Sequence, residues 1–374
     1  MPGTARFPRF AHAITARAGA RPAAALTVLL ATLLAACSTP PVHQPDPVKP
    51  GPAPAPAAPV TTPRMSAAQN TITKMVALQE RLYKVAAPLL INNADLCKNQ
   101  ARNLLGFTAK NKYSYPGEFA DASQVALGYG EQLQVSGVLA GSGAARAGLR
   151  KGDGLVAADG KALPRGPNAE TQAAGVFGPL VASRATLNMT IARNGADQKL
   201  SVPVTRACAF RVDLGNADNI NSYADGQRVM LTRGMINFAQ NDEAIAYVMA
   251  KDMAHNILGH AGSQRSAGTL GGIIENLSNV QPDLSMLIGS AGIKAMPQEL
   301  DAAADNLALY LLARAGYNID NAARFWQRLA TTYPATVLNG YTANHPGVTF
   351  RIAAINKTVA EIKAKQAAKK ALTP

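Results

Sequence analysis

The residues with the most chemistry to offer lie in the stretch Lys251-Asp252-Met253-Ala254-His255. Positions i and i+4 share one face of an α-helix, so their side chains can meet at a single ion or partner. A carboxylate beside the first of them can serve as general base on a water held there. Asp301, His345 and Arg351 extend the set with a possible ligand, a ligand or proton carrier, and a cation that can stabilise a developing anion. Lys251 is the odd member. An ammonium group has no free lone pair at neutral pH unless burial strongly lowers its pKa, which makes it a poor metal ligand.

A helix must position the first three residues. It is expected from about Asp242 to Gly259, capped by Asn241 or Asp242, with acids in its first turn as the helix dipole favours. Ahead of it stand Asn221 to Gly226 and Val229 to Met235. Behind it come Gln298-Glu299-Leu300-Asp301 with Ala304-Asp305, running on to Tyr317, and finally Asn344-His345-Pro346 with Arg351-Ile352. These four landmarks, in this order, resemble the zinc metallopeptidase family that includes the CAAX prenyl proteases and their HtpX-like and periplasmic relatives. The resemblance implies a strand pair before the first helix and an HExxH motif on it. It also implies a third zinc-ligating glutamate at position 301 and a late His-Pro…Arg element.

Set beside that pattern, Lys251, Asp252 and Asp301 replace histidine, glutamate and glutamate. Asp252 is one methylene short, so its carboxylate should miss the water by about an ångström, enough to remove roughly a hundredfold in rate. Asp301 can ligate zinc, but only if the helices approach or the bond lengthens. Removal of zinc would leave two acids close together, and a buried unpaired carboxylate is costly. Lys251 is therefore expected to pair with Asp301 and take over the metal's structural role. Two readings of the metal stay open: a three-ligand site of His255, Asp301 and His345, or a hydrogen-bond network that keeps His255 and His345. His255 and His260 are five residues apart, so their side chains should diverge by about 140° on a helix. That separates them, and His260 is expected to cap or pack at the helix end. Arg351 is expected to pair with an acid; in an active relative it would stabilise the oxyanion.

The rest of the chain supplies context. Its 374 residues, 48% hydrophobic, suffice for two modest domains, with a formal charge of +14. A basic start is followed by the apolar run Ala23 to Ala36, too short to span a bilayer, which needs about 20 residues. Leu34-Ala35-Ala36-Cys37 resembles a bacterial lipobox, which implies lipidation at Cys37 and, with Ser38 following, outer-membrane sorting. An ordinary signal peptide is the alternative. Loss of residues 1–36 removes four arginines and leaves a charge near +10. Residues 37–66 form a proline- and alanine-rich tether that cannot build a core. Cys97 and Cys208 can form a disulfide in an oxidising compartment; two buried thiols are the alternative.

Residues 67–105 show helical periodicity through Ile72, Met75, Val76, Leu82, Val85 and Leu89. From Gly106 to about Cys208 the texture becomes glycine-rich and alternating. It includes a strand at 133–138, the run Ala147-Gly148-Leu149…Gly152-Asp153, and a hairpin turning at Asn194-Gly195. This succession resembles a PDZ domain, placed at 113–208, between helices at 67–112 and the metallopeptidase-like part at 209–374. PDZ domains bind extended peptides by strand addition. The peptide-binding loop is expected at Leu127-Gly128-Tyr129-Gly130, the alternative being the fold without the site.

The apolar stretch 266–292 reads as a lid helix or a packing helix. Lys357, Lys363, Lys365, Lys369 and Lys370 read as a solvated helical face, with weak attraction to anionic lipid as the alternative. Nucleic acid is excluded as a partner by compartment and by the lack of interleaved aromatics. The fold class expected is α+β: a zincin-like, mainly helical domain with a β-rich insert. The expected role is a lipid-anchored envelope pseudopeptidase with zinc absent or weakly bound, acting as adaptor or chaperone-like module for envelope proteins or unfolded peptides. An active zinc metalloendopeptidase of envelope quality control is the rival, and a purely structural lipoprotein a third reading.

Overall fold

A computed structural model describes residues 62–260, 298–332 and 348–374. The expected leader, residues 37–61 of the expected tether with Cys37, the stretch 266–292 and His345 lie outside the described residues, whereas residues 63–66, expected as tether, already belong to the first helix. Among the described residues no helix is long and apolar enough to cross a membrane.

Helix α1 spans Pro63–Asn92, with Thr62 as N-cap accepting from the Met65 amide and Pro63 in the first turn. Its buried Leu82, Val85, Ala86, Leu89 and Leu90 follow the i, i+3, i+4, i+7, i+8 spacing of a core-facing stripe. It stops at Asn92, well before the expected Leu105. The buried Asn93 leaves helical geometry, and its amide donates to the carbonyls of Leu89 and Leu311. That satisfies the helix end and ties it to a distant element.

The chain then crosses a narrow neck. Strand β1 (Ala101–Leu104) pairs antiparallel with β8 (Thr205–Cys208), Ala101 opposite Cys208. A disulfide joins Cys97 to Cys208. Everything between these strands is an excursion with its own hydrophobic core, including Leu133, Val135, Leu155, Phe177 and Ile191.

The excursion is an antiparallel sheet in the order β2-β3-β4-β6-β7: Phe107–Lys110, Gln134–Val138, Gly154–Ala158, Thr186–Arg193 and Ala196–Pro203. The short β5 (Lys161–Ala162) pairs beside β4. Strand β2 begins ahead of residue 113. Asn194 and Gly195 both have positive φ, 52° and 78°, as the tight β6–β7 hairpin requires. Helix α2 (Glu118–Leu127) lies between β2 and β3, the one-turn α3 (Gly143–Arg146) follows β3, and α4 (Ala169–Ser183) packs Phe177 edge-on to Phe107. Gly143 admits no side chain, because a Cβ there would lie 1.8 Å from the Pro203 carbonyl oxygen.

The remaining body is mainly helical. Strand β9 (Arg211–Gly215) pairs parallel with β11 (Arg228–Thr232), which pairs antiparallel with β10 (Ser222–Ala224). Residues 233–235, read from the sequence as strand, instead open helix α5 (Arg233–Ala239), because Thr232 caps the Met235 amide. Helices α6 (Asp242–Ile257), α7 (Gln298–Arg314), α8 (Ala322–Thr332) and α9 (Val348–Ala367) are the other helices among the described residues.

Asn241 caps α6 through the Ala244 amide, and Arg81 of α1 bonds Asp242 at 2.7 Å. From Ala244 to Asn256 every residue of α6 is buried, so it is the axial helix around which the body packs.

The disulfide closes a sequence separation of 111 residues, for which the chain-entropy model gives about 4–5 kcal/mol. Cys97→Ala/Cys208→Ala is expected to lower unfolding stability by that order, read as a drop in urea midpoint. An unchanged midpoint would show the β1–β8 neck to be sufficient alone.

Candidate functional site

An axial helix enclosed on all sides should carry only apolar side chains, yet α6 buries Lys251, Asp252, His255 and Asn256. Charges taken out of water need partners. Lys251 Nζ lies 2.6 Å from Asp301 Oδ1 and 3.4 Å from Asp305 Oδ1, both on α7. Arg351 of α9 donates to both oxygens of Asp305, Nε and Nη2 each at 2.7 Å. Between the two cations stands Trp326 of α8, its ring 4.0 Å from the Arg351 guanidinium and 5.1 Å from Lys251 Nζ. Two cations and two carboxylates thus close a balanced cluster across three helices, with Trp326 of a fourth against both cations. Burial alone would push the Asp305 carboxyl up, but Arg351 and Lys251 outweigh it and hold it below the usual carboxylate range.

The sequence-based pairing of Lys251 with Asp301 is what the structure contains. Small residues at buried positions of both helices, Ala246, Ala250 and Ala254 on α6 with Ala304 and Ala308 on α7, let the backbones come close enough for the short aspartate to reach. Arg351 also pairs with an acid, as expected. Both of its bonded nitrogens are turned on Asp305 and it is itself buried, so it is not presented as an oxyanion-stabilising cation.

Asp252, at the general-base position, faces Ser222 on β10 with a hydrogen bond. Burial pushes its carboxyl up to about 7, a rise that Ser222 and Lys251 partly offset. His255 is fully buried, and burial lowers it to about 4, so it is neutral at pH 7. Its Nε2 lies 3.5 Å from Asp301 Oδ1 and its Nδ1 lies 3.2 Å from His260 Nδ1. A proton on Nε2 facing the carboxylate leaves Nδ1 to accept from His260, which fixes both tautomers.

The helical-wheel argument that separated His255 from His260 fails here. Helix α6 ends at Ile257, Gly259 takes φ 71°, and the His260 amide folds back onto the His255 carbonyl, so the two rings meet. Next to His255, Asn256 clips the β10–β11 turn, accepting from the Gly226 amide and donating to the Arg228 carbonyl.

Leu127-Gly128-Tyr129-Gly130 does not form an open carboxylate-binding loop. The Gly128 and Tyr129 amides donate to the Gln124 and Ser123 carbonyls and finish α2. Tyr129 is buried, its ring stacked 6.0 Å from Tyr115 and packed with Ala68 and Ile72 of α1. The Gly130 carbonyl is taken by the Lys112 amide. The sequence reading missed Trp326, the chain's single tryptophan, and Ser222; their distance in sequence from α6 gave no local signal. Asp305 was visible beside Asp301, but its pairing with Arg351 was not.

Residues 184–359 match the family model described as Peptidase family M48. It is also similar to the Beta-barrel assembly-enhancing protease of Escherichia coli (strain K12), 27% identical over 136 residues, which is 32% of this chain and 28% of that protein. The protein of that name from Yersinia pestis is 28% identical over 137 residues, with the same coverage. The matched part therefore spans little more than a quarter of these relatives' length. The charge cluster and the imidazole pair lie within the matched residues, and the family that the model describes comprises zinc metallopeptidases.

Removing Lys251 strands the buried Asp301 carboxylate, while Asp305 keeps Arg351. Lys251→Met is expected to cost about 3–5 kcal/mol, while the double variant Lys251→Met/Asp301→Asn should recover most of it, measured by chemical denaturation. The raised Asp252 pKa gives a second expectation. The unfolded carboxyl ionises near its ordinary value while the folded one stays protonated to about 7. Its contribution is thus intact at about pH 4 and is lost as pH rises towards 7. His255, lowered to about 4, has the opposite slope below its ordinary value, losing stability as pH falls. Asp252→Asn isolates the first effect: the variant should gain on the natural chain by up to about 1.4 kcal/mol per pH unit across that interval.

Proposed function

We propose that this chain is a non-catalytic M48 protein, a zincin-like body with a PDZ-like insert, that recognises unfolded or partly folded envelope polypeptides as an adaptor or chaperone-like module. The observation that carries the reading is the ion pair of Lys251 with Asp301 at 2.6 Å, in the helix positions where the family resemblance expects two zinc ligands.

The residues present do not suit zinc. Lysine offers an ammonium instead of a lone pair, and the carboxylate it holds is one a metal would need. Among the described residues no group of three His, Cys, Asp or Glu is arranged to hold a metal ion. Asp252, one methylene short of glutamate, is engaged by a hydrogen bond with Ser222. What persists is the scaffold: the axial helix, the edge strand β10 beside it and the inserted sheet.

The relatives' name, which speaks of assisting β-barrel assembly, supports unfolded outer-membrane β-barrel polypeptides as the client class. The lipobox-like Cys37, the tether and the Cys97–Cys208 disulfide fit an outer-membrane lipoprotein facing the periplasm. The rival reading, an active metalloendopeptidase, predicts a different response to chelator.

Purified protein lacking the leader is expected to suppress aggregation of a urea-unfolded outer-membrane β-barrel protein diluted into buffer, and to leave casein uncut with or without EDTA. Casein cleavage that EDTA abolishes would establish the protease reading in its place. Failure to suppress aggregation would remove the chaperone-like role.

A further inference from the structure

The clash between the M48 scaffold and its donor set has a definite geometry. His255 Nε2 and Asp301 Oδ1 lie 3.5 Å apart. Two ligands at 2.0–2.2 Å from a tetrahedral zinc are themselves separated by roughly 3.3–3.5 Å. Two donors therefore still stand at ligand spacing. The third position, one turn earlier on α6 and on the same face, holds Lys251, whose Nζ reaches the same Asp301 oxygen at 2.6 Å.

The surroundings explain why this arrangement is stable. Lys251 and Arg351 offset Asp301 and Asp305, and the Trp326 ring lies against both cations. A divalent ion added to this set would meet an ammonium at its own position and leave an excess of positive charge in a buried core. Replacing the ammonium by a neutral imidazole reverses the balance. The core would then hold one cation against two carboxylates, with a second imidazole beside His255 and a released Asp301.

We infer that Lys251 is a built-in substitute for a metal cation and the single lock on a dormant zinc site, so that Lys251→His by itself restores zinc binding through His255 and Asp301. The inference rests on the non-catalytic reading of the site but concerns metal occupancy, not cleavage. Asp252 and the missing methylene at Asp301 are then secondary: they govern what a bound metal could do, while Lys251 governs whether one binds. Arg351 and Trp326 are the reason lysine is tolerated, since they close the charge balance and cover the ammonium.

The test compares the leaderless natural chain with Lys251→His, Lys251→Met and Lys251→His/Asp301→Asn. Each is dialysed against zinc and then metal-free buffer, with zinc per chain and the melting temperature measured with and without EDTA. Lys251→His is expected to retain about one equivalent of zinc and to melt higher with zinc than with EDTA. The natural chain, Lys251→Met and the double variant should retain none and show no EDTA response. Cobalt binding to Lys251→His should also quench Trp326, the chain's only tryptophan.

Stoichiometric zinc on the natural chain overturns the inference. So does Lys251→His without zinc, or equal zinc on Lys251→Met. Lys251→His that fails to fold even with zinc present counts against it as well, because a restored site contributes folding energy. Casein cleavage by the natural chain in EDTA would sink the non-catalytic reading while leaving this inference standing.

Discussion

Four charges are buried where α6, α7 and α9 meet, and a charge taken out of water must find its compensation inside the protein. Lys251, Asp301, Asp305 and Arg351 supply that compensation to one another, so no helix of the set can move without exposing or stranding a partner. The alanines of α6 and α7 serve the same constraint: a short aspartate reaches the lysine only if the backbones lie close. Trp326 adds to it by presenting a π face to both cations. A buried ion pair is weak evidence for net stability, since a well-packed apolar core often does as well. It is strong evidence for a fixed helix register, because a misaligned set would leave charges unpaired.

The β-rich excursion is held differently. It has a separate hydrophobic core and joins the body through two neighbouring strands, a disulfide and the packing of α2 on α1. Gln100, at the neck, donates to the carbonyls of Gly226 and Asn256, so the neck touches the turn beside β10 and the residue next to His255. The β-rich excursion is thus anchored beside the altered site, while its own folding depends on residues far from it.

Much of this was legible in the residues themselves. The limits of α6, its Asn241 cap, the β6–β7 hairpin at Asn194-Gly195 and the pairing of Lys251 with Asp301 follow from local rules: capping, turn chemistry, i/i+4 geometry and the cost of an unpaired buried charge. Failures came where a distant contact overrode a local pattern. Apolar periodicity continued past Asn92, but Asn93 ends the helix by bonding Leu311 on another element. The glycine-flanked Tyr129 looked like an exposed loop, yet Tyr115 and α1 bury it. His260 lay beyond the helix end, where wheel geometry no longer applies.

The sequence by itself determined which positions carry altered chemistry, because residue type and spacing along one helix depend on nothing outside it. Lys251, Asp252 and His255 were bound to share a neighbourhood, and Asp301 had to answer the lysine if the two helices met. Only the tertiary structure decided how the charge was balanced. Whether Arg351 serves a bound anion or Asp305, and whether a tryptophan lies between two cations, depends on the packing of α8 and α9 against α6 and α7. Such packing is set by the summed burial of many side chains, and no single one announces it in the sequence.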